Sequence, residues 1–410
     1  MATPAVEKFS LRTQGAIYGV GMFSSTMSHI SGLLVPLWLV TLEPSPFLIG
    51  VVLGSRSVLP LLLSIHGGAL MDRLGVRRVT LFFAIMATVT PLFYPLAPWI
   101  PVVILLQMMH GLSASMGWIG AQTTIGHVMK GNPTYAGRLS FSLRIGNFLG
   151  PPLVGYVWDQ FGAWGAFGML ALWGAGMWVS AMMLPATAGE STGSGPVARR
   201  DLMPRLSDHI ETFRLLVIPA VLLVVMVSVL RISGAAIQSS FYVVYLESIK
   251  FTGAEIGLLW SAAAVLGGVG ALGVGPATRI FIPHWLLIVM VAGATILIAI
   301  TPLLGSVSLL LLLASALRGG TLGLSQPLMV SILLKSAGPG AQGKSVGLRT
   351  TANRAAQTIL PVLMGAIAEM VGIANSFYVI GGVLLILVGL VAIYTWRSPS
   401  LGSGAGPGTA

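Results

Sequence analysis

Twelve long apolar stretches, separated by short clusters of charged and turn-forming residues, make up most of the chain. Each is about as long as the ~20 residues that one helix needs to cross a bilayer, or longer. None shows the alternation of apolar and polar residues that marks a membrane-spanning strand. The pattern predicts an all-α membrane protein with twelve transmembrane helices. We expect them at 15–42, 47–71, 78–98, 101–128, 137–158, 163–185, 215–246, 253–278, 284–304, 306–334, 347–368 and 373–396.

The composition agrees with a surface that faces lipid. Hydrophobic residues make up 55% of the 410 residues and charged residues only 8%, whereas a soluble domain carries about 25% charged residues. We therefore exclude a soluble enzyme, a disordered chain and, despite the net charge of +11, a nucleic-acid-binding protein. Because the chain has no Cys, disulfides, thiolate metal sites and a Cys nucleophile are excluded as well, and we expect no metal and no cofactor.

The basic residues predict an orientation. Sixteen of the 22 Lys and Arg residues fall on one side of the predicted helices, and Lys250 alone falls on the other side. Since cytoplasmic loops retain basic residues, both termini and the long central loop are predicted to be cytoplasmic. The chain is then an integral, multi-pass protein, which we assign to the cell (inner) membrane.

Two related halves flank the one long hydrophilic segment. This cytoplasmic loop, 186–214, separates a predicted six-helix bundle at 1–185 from a second at 215–396, and the tail at 397–410 is predicted to be disordered. With an offset of 210 residues, 137–167 falls on 347–377. The matched pairs are Gly137 and Gly347, Arg144 and Arg354, Pro151 and Pro361, Gly155 and Gly365, Asp159 and Glu369, Gly162 and Gly372, and Phe167 and Phe377. The match predicts a parallel repeat with pseudo-two-fold symmetry, a design known among transporters.

The loop after the second predicted helix reads GALMDRLGVRR. It resembles the signature G-x-L-a-D-r-x-G-r-k of the major facilitator superfamily, with Val76 where a basic residue is common. The matching and neighbouring residues are Gly68, Asp72, Arg73, Gly75, Arg77 and Arg78. The resemblance implies a secondary transporter in which the carboxylate and the basic residues form a gating latch. In the alternative interpretation, the basic residues only retain the loop in the cytoplasm.

The fifth predicted helix carries a second pattern, in which Gly146, Gly150, Pro151 and Gly155 follow Gly137. It resembles the antiporter signature of the same superfamily, which is associated with exporters, notably drug–proton antiporters. The resemblance favours export. The Gly150–Pro151 step should bend the helix, and since the repeat partner has Leu360 before Pro361, we expect a hinge in the fifth helix. Ordinary packing of small residues is the alternative.

Five arginines lie inside predicted helices, and no Asp or Glu is left there to pair with them. They are Arg56, Arg144, Arg231, Arg318 and Arg354. Each costs at least ~2.5–3.5 kcal/mol at the bilayer centre by insertion scales, so we expect a polar cavity that receives a negative charge. The repeat-equivalent Asn147 and Gln357 lie beside two of them. In the alternative interpretation, each Arg caps backbone carbonyl groups or reaches the interface.

The family resemblance implies that the first, fourth, seventh and tenth helices line the cavity, which adds Gln107 and Gln238 as candidates. Gln107 stands where the family often has an Arg linked to proton transfer. Because histidine titrates near neutral pH, His29 and His110 are the candidates for proton coupling. Either His is otherwise a hydrogen-bonded packing residue.

These patterns together predict a monomeric transporter that moves a small organic solute, anionic or neutral and polar, by alternating access, with export favoured. Its partners are the lipid bilayer, the solute, and protons or a counter-anion. A proton-coupled multidrug efflux antiporter is one alternative. A transport-inactive receptor or scaffold is another, and an enzyme is not expected.

Overall fold

The computed structural model describes residues 9–129, 133–185, 215–305, 307–336 and 342–398, and its regular secondary structure is helical. We number the membrane-spanning helices α1 to α12. They are α1 (Leu11–Val40), α2 (Pro46–Ser55, continued by Val58–Leu74), α3 (Val76–Val89), α4 (Ile100–Val128), α5 and α6 (133–161 and 163–182, joined in the helical stretch Pro133–Met182), α7 (Pro219–Gln238, continued by Phe241–Ser248), α8 (Gly253–Leu272, continued by Val274–Ile280), α9 (Pro283–Ala299), α10 (Ser308–Ser336), α11 (Gln342–Val371) and α12 (Ile373–Arg397).

The described residues contain ten helical stretches that are long and apolar enough to cross a bilayer. An eleventh is reached when α9 is counted with Val274–Ile280, from which it is bent by 119°. One of the ten contains both α5 and α6. Dividing this stretch raises the number from eleven to the twelve predicted helices.

The helical stretch that contains α5 and α6 folds back on itself. A straight helix of its 50 residues would be about 75 Å long. Instead, Leu139 near its start and Gly176 near its end contact the same part of α1, at Gly21 and Phe23. The chain reverses at Gly162, whose φ of 61° lies in the region that favours glycine.

The repeat predicted from the sequence is visible in this turn. Gly372, the equivalent of Gly162, separates α11 from α12 with a φ of 87°. Both glycines start a helix that runs back toward the end of the bundle where its partner began. The all-helical fold with two related halves is therefore confirmed.

The boundaries of the predicted domains are only partly described. The central loop at 186–214 and the tail from 399 onward lie outside the described residues. α6 ends at Met182 and α12 at Arg397, close to the predicted limits of the two bundles.

The two ends of the bundle differ in charge. We call the end where α1 begins and α12 ends the basic end. The opposite end, which we call the acidic end, carries five of the six Asp and Glu residues in the described ranges, namely Glu43, Asp159, Glu247, Glu255 and Glu369. The positive-inside rule predicts that the basic end is cytoplasmic.

The halves meet closely near the acidic end, through α2 with α11 and α5 with α8. A Cβ on Gly50 of α2 would meet the backbone carbonyl oxygen of Pro361 in α11. A Cβ on Gly155 of α5 would meet the carbonyl oxygen of Gly253 in α8. Glycine therefore allows backbone-to-backbone contact at both interfaces.

Candidate functional site

A cavity of about 600 Å³ lies between the halves, near the middle of the helices. Eight helices line it: α1, α2, α4 and α5 from one half and α7, α8, α10 and α11 from the other. The lining reaches Ala271 of α8 and Pro327 of α10, toward the basic end. Toward the acidic end, the glycine contacts between the halves cover it. A cavity of this volume accommodates a small organic molecule.

Most of the predicted binding residues line this cavity. They are Arg56, Arg144, Arg231, Arg318, Arg354, Asn147, Gln238, Gln357 and the coupling candidate His29. The lining contains no Asp or Glu among the residues that the structure describes. In the described part of the chain, the cavity therefore carries five guanidinium groups and no carboxylate to balance them.

Two of the arginines are oriented by neutral groups. Arg56 donates from Nη1 to the backbone carbonyl of Ser28, at 2.9 Å. Arg231 donates from Nε to the hydroxyl oxygen of Ser325 at 3.1 Å and from Nη2 to the carbonyl of Leu322 at 3.4 Å. Two of these three contacts cap carbonyl groups, as the alternative interpretation expected, and none of them supplies a negative charge.

Arg354 belongs to a hydrogen-bonded chain that joins the two halves. It donates to the side-chain oxygen of Gln357 on its own helix and to the hydroxyl oxygen of Ser115 on α4, both at 3.3 Å. Ser57 of α2 donates to the same Gln357 oxygen at 3.3 Å. This pair thus contributes to contacts across the interface as well as to the cavity wall.

Arg144 and Arg318 differ from the other three. The Arg144 side chain is exposed to the cavity and makes no hydrogen bond to any described residue. Arg318 is only 3% exposed, and its Nη1 has no hydrogen-bond partner in the described ranges. Because Arg cannot lose its proton under ordinary conditions, each keeps a charge and N–H groups that an anionic ligand can use.

The two histidines lie in different surroundings. His29 is exposed at the cavity surface, and its Nδ1 lies 3.1 Å from the carbonyl oxygen of Ser25. A carbonyl oxygen only accepts, so in the neutral ring Nδ1 carries the proton and Nε2 is the free acceptor. His110 is buried beside the Met27 backbone, and its ring nitrogens have no hydrogen bond of good geometry. It is not among the cavity-lining residues, which favours the packing interpretation for His110.

Gln107 is also outside the large cavity. It lines a smaller pocket on the side of the acidic end, where its side-chain oxygen accepts a hydrogen bond from the Tyr94 hydroxyl at 3.2 Å. The sequence placed it on the correct helix, but its direction around that helix depends on packing.

Several lining residues were missed by the sequence analysis. Trp118 and Trp260 line the cavity, and neither is among the residues predicted from the sequence. Small polar residues line it too: Ser24, Ser25, Ser28, Ser115, Ser239 and Gln326. Ser24 and Ser28 are four residues apart on α1, so a polar stripe at helical spacing was the available signal.

The loop motif is only partly described. Gly75 has a φ of 89° between α2 and α3, which explains the glycine. Arg77 donates from Nη2 to the carbonyl of Met182 at 3.0 Å, at the end of α6. The side chains of Asp72 and Arg73 lie outside the described part, so the latch stays a prediction, as do the roles of Gly68 and Arg78.

The helix 5 pattern serves packing in this conformation. A Cβ on Gly146 or Gly150 would meet Thr26 of α1. The only non-helical backbone angles within Pro133–Met182 are at Gly162, so the Gly150–Pro151 step does not interrupt the helix. The predicted hinge at Gly146, Gly150, Pro151 and Gly155 stays a prediction.

No curated protein matches the sequence. Among solved structures, a variant of the nucleoside transporter NupG has a TM-score of 0.75 at 15% identity, and the alignment covers 94% of this chain and 100% of that one. A POT family transporter in complex with a thioalcohol-conjugated peptide has a TM-score of 0.74 at 14% identity, covering 93% and 96%. A D-xylose–proton symporter has a TM-score of 0.70 at 15% identity, covering 96% and 98%.

At these identities the structural likeness shows the fold alone. The sequence profile of the Major Facilitator Superfamily matches residues 17–356 and 224–410, which together cover nearly the whole chain. The cavity between two related six-helix halves agrees with that match. The chain therefore belongs to the major facilitator superfamily.

Proposed function

We propose that this transporter moves a small organic anion across the membrane by alternating access. The observation that carries the proposal is the cavity between the halves, which five guanidinium groups line without a carboxylate among the described residues. Membership of the superfamily identifies the chain as a transporter rather than an enzyme. The class of solute is inferred from the charge of the cavity.

The physical argument concerns desolvation. A guanidinium removed from water and left unpaired is costly, and an opposite charge at ~4 Å recovers about 4 kcal/mol at an effective dielectric constant near 20. A carboxylate or phosphate fits the planar fork of Arg with two parallel hydrogen bonds. Arg144 has no partner among the described residues, so an anion binds it without breaking a protein hydrogen bond.

The same charges disfavour a cationic cargo. A lipophilic cation would meet five positive groups, which makes the multidrug efflux alternative weaker. Trp118 and Trp260 in the lining favour a solute with an apolar or aromatic part, since the indole rings offer large apolar faces. A neutral polar solute remains the nearest competitor.

Export is supported by the resemblance of the α5 pattern to the antiporter signature. The cavity extends toward the basic end, and an exporter whose basic end is cytoplasmic would load its solute from that side. One structural neighbour is a proton symporter, so the same fold also serves transporters in which the solute and the proton move in the same direction. Protons, with His29 at the cavity surface, or a counter-anion are the candidate coupled ions.

A ligand screen on the purified protein tests the anion. We expect small organic carboxylates or phosphates to raise the midpoint of thermal unfolding, because a ligand that binds the folded state stabilises it. Arg144→Gln removes this rise, whereas Arg279→Gln, at an exposed position outside the cavity lining, keeps it. A screen in which only cations stabilise the protein would overturn the proposal.

Transport is measured in proteoliposomes with a labelled anion from the screen. Accumulation against its gradient, driven by a pH gradient or by a counter-anion, is the expected result. Stabilisation by anions without any transport would support the receptor alternative instead. Transport in one direction only, in vesicles of known orientation, decides between export and uptake.

A further inference from the structure

A second, smaller pocket lies between the halves, next to the cavity on the side of the acidic end. Its volume is about 10 Å³, which is room for one water molecule or one small ion. Residues of α1, α2 and α4 line it from one half, and residues of α7 and α11 line it from the other. Arg56 lines both this pocket and the cavity.

Two almost completely buried side chains present unpaired donors in this lining. Gln107 is 1% exposed, and its oxygen is engaged by Tyr94, while its amide nitrogen has no partner among the described residues. Ser31 is 1% exposed, and its hydroxyl has no hydrogen-bond partner in the described part of the chain. A buried donor without an acceptor costs about 1–3 kcal/mol, so two of them beside one pocket indicate a ligand that accepts hydrogen bonds.

The charge beside the pocket points the same way. Arg56 uses Nη1 for the Ser28 carbonyl, and the guanidinium has further N–H groups to donate. The hydroxyls of Ser57 and Ser240 already donate to Gln357 and to the Ala236 carbonyl. The unpaired donors of Gln107 and Ser31 therefore lie in the same lining as the positive charge of Arg56, and no Asp or Glu among the described residues lines this pocket.

We infer that this pocket binds a small monatomic anion, of the size and charge of chloride, between Arg56, Gln107 and Ser31. The anion accepts hydrogen bonds from all three side chains and neutralises Arg56, which leaves four cavity arginines for the transported solute. Because both halves line the pocket, the bound anion stabilises the conformation that is closed at the acidic end. The inference does not depend on which solute is transported.

The test uses the purified full-length protein and sodium chloride. The midpoint of thermal unfolding is measured while chloride replaces sulfate at constant ionic strength. We expect a saturable rise of the midpoint with chloride and with bromide. Equal midpoints in chloride and in sulfate would overturn the inference and leave a pocket that holds a water molecule only.

Variants decide where the anion binds. Ser31→Ala and Gln107→Leu should lose the chloride-dependent rise. Gln238→Leu, which changes a glutamine that lines only the large cavity, should keep it. If Gln238→Leu or Arg144→Gln abolishes the rise and the two pocket variants retain it, the anion binds in the cavity and the inference is wrong.

Gln107→Leu also removes the hydrogen bond of Tyr94 and can impair folding, so a third variant is needed. Gln107→Glu places a carboxylate beside Arg56 and supplies the negative charge from the protein itself. We expect this variant to be at least as stable as the wild type in sulfate and to be insensitive to chloride. A chloride response in Gln107→Glu equal to that of the wild type would contradict the inference.

Direct observation completes the test. In crystals grown with sodium bromide, we expect an anomalous peak between the side chains of Gln107 and Arg56. A peak confined to the large cavity would overturn the inference. The absence of any anomalous peak in the small pocket would also overturn the inference.

Discussion

Asp159 accepts a hydrogen bond from the backbone N–H of Gly253 at 2.8 Å, across the interface between the halves. Its second oxygen accepts from the N–H of Ala254 at 2.8 Å. The carboxylate of α5 thus caps the positive N-terminus of α8. The repeat-equivalent Glu369 of α11 accepts from the N–H of Phe47 at the start of α2, at 3.0 Å. Two equivalent caps therefore join the halves at the acidic end.

Asp159→Asn and Glu369→Gln should favour opening of the acidic end, because each removes a charge from a helix N-terminus in the other half. A charge there contributes about 0.3–1 kcal/mol, so the open population should rise roughly two- to five-fold. The chain has no Cys, so Ala235→Cys in the cavity lining provides a unique site for an impermeant maleimide. Faster labelling from the acidic side is the expected result.

The control for this prediction is Glu255→Gln. Glu255 also caps α8, but it accepts from Thr252 within the same half, at 2.9 Å. Its loss should destabilise α8 slightly without opening the acidic end. If Glu255→Gln is labelled as fast as Asp159→Asn and Glu369→Gln, the two caps between the halves do not hold the acidic end closed.

Gly50→Ala and Gly155→Ala should also disfavour the closed acidic end. At both positions a Cβ would meet a backbone carbonyl oxygen of the other half, which cannot move away as a flexible side chain can. The same cysteine labelling assay measures the effect. Gly389→Ala is the matched control, since a Cβ there meets no atom within 4 Å, and this variant should behave like the wild type.

Gly162→Ala should lower the stability of the folded protein. Its φ of 61° is costly for any residue with a Cβ, by about 1–3 kcal/mol. Gly372→Ala, with a φ of 87°, should have a similar effect. Thermal unfolding in detergent measures both. Gly168→Ala has open space and ordinary helical geometry, and a midpoint as low as that of Gly162→Ala would show that the turn is not the cause.

Arg144→Gln and Arg354→Gln should differ in the absence of any solute. Arg144 has no hydrogen bond to lose among the described residues, and its removal relieves charge repulsion in the cavity, so the unfolding midpoint should stay equal or rise. Arg354→Gln loses the contact with Ser115 across the interface and should lower the midpoint. An equal fall in both variants would mean that Arg144 has a structural role like that of Arg354.

The charged residues show how far sequence reasoning reaches. Five arginines and no acid in the apolar stretches were enough to predict a positively charged cavity, because an isolated charge in lipid is too costly to tolerate without a purpose. Gln107 and His110 lie on the same helix, and both were predicted as functional residues. Gln107 lines the small pocket, whereas His110 is buried and lines neither the small pocket nor the large cavity. Their direction depends on how α4 is rotated against its neighbours, which apolar periodicity does not specify in a helix that is hydrophobic on all sides.

The sequence by itself determined the helical fold, the repeat and the sign of the charge in the cavity, because bilayer thickness and the cost of buried charge act on each helix separately. Only the tertiary structure decided that Arg144 has no hydrogen-bond partner among the described residues while its repeat equivalent Arg354 is bound to Ser115, and that the cavity is closed toward the acidic end. Those properties depend on contacts between residues far apart in the chain. The closure in particular depends on glycines and carboxylates that meet a helix of the other half, a partner that no local pattern identifies.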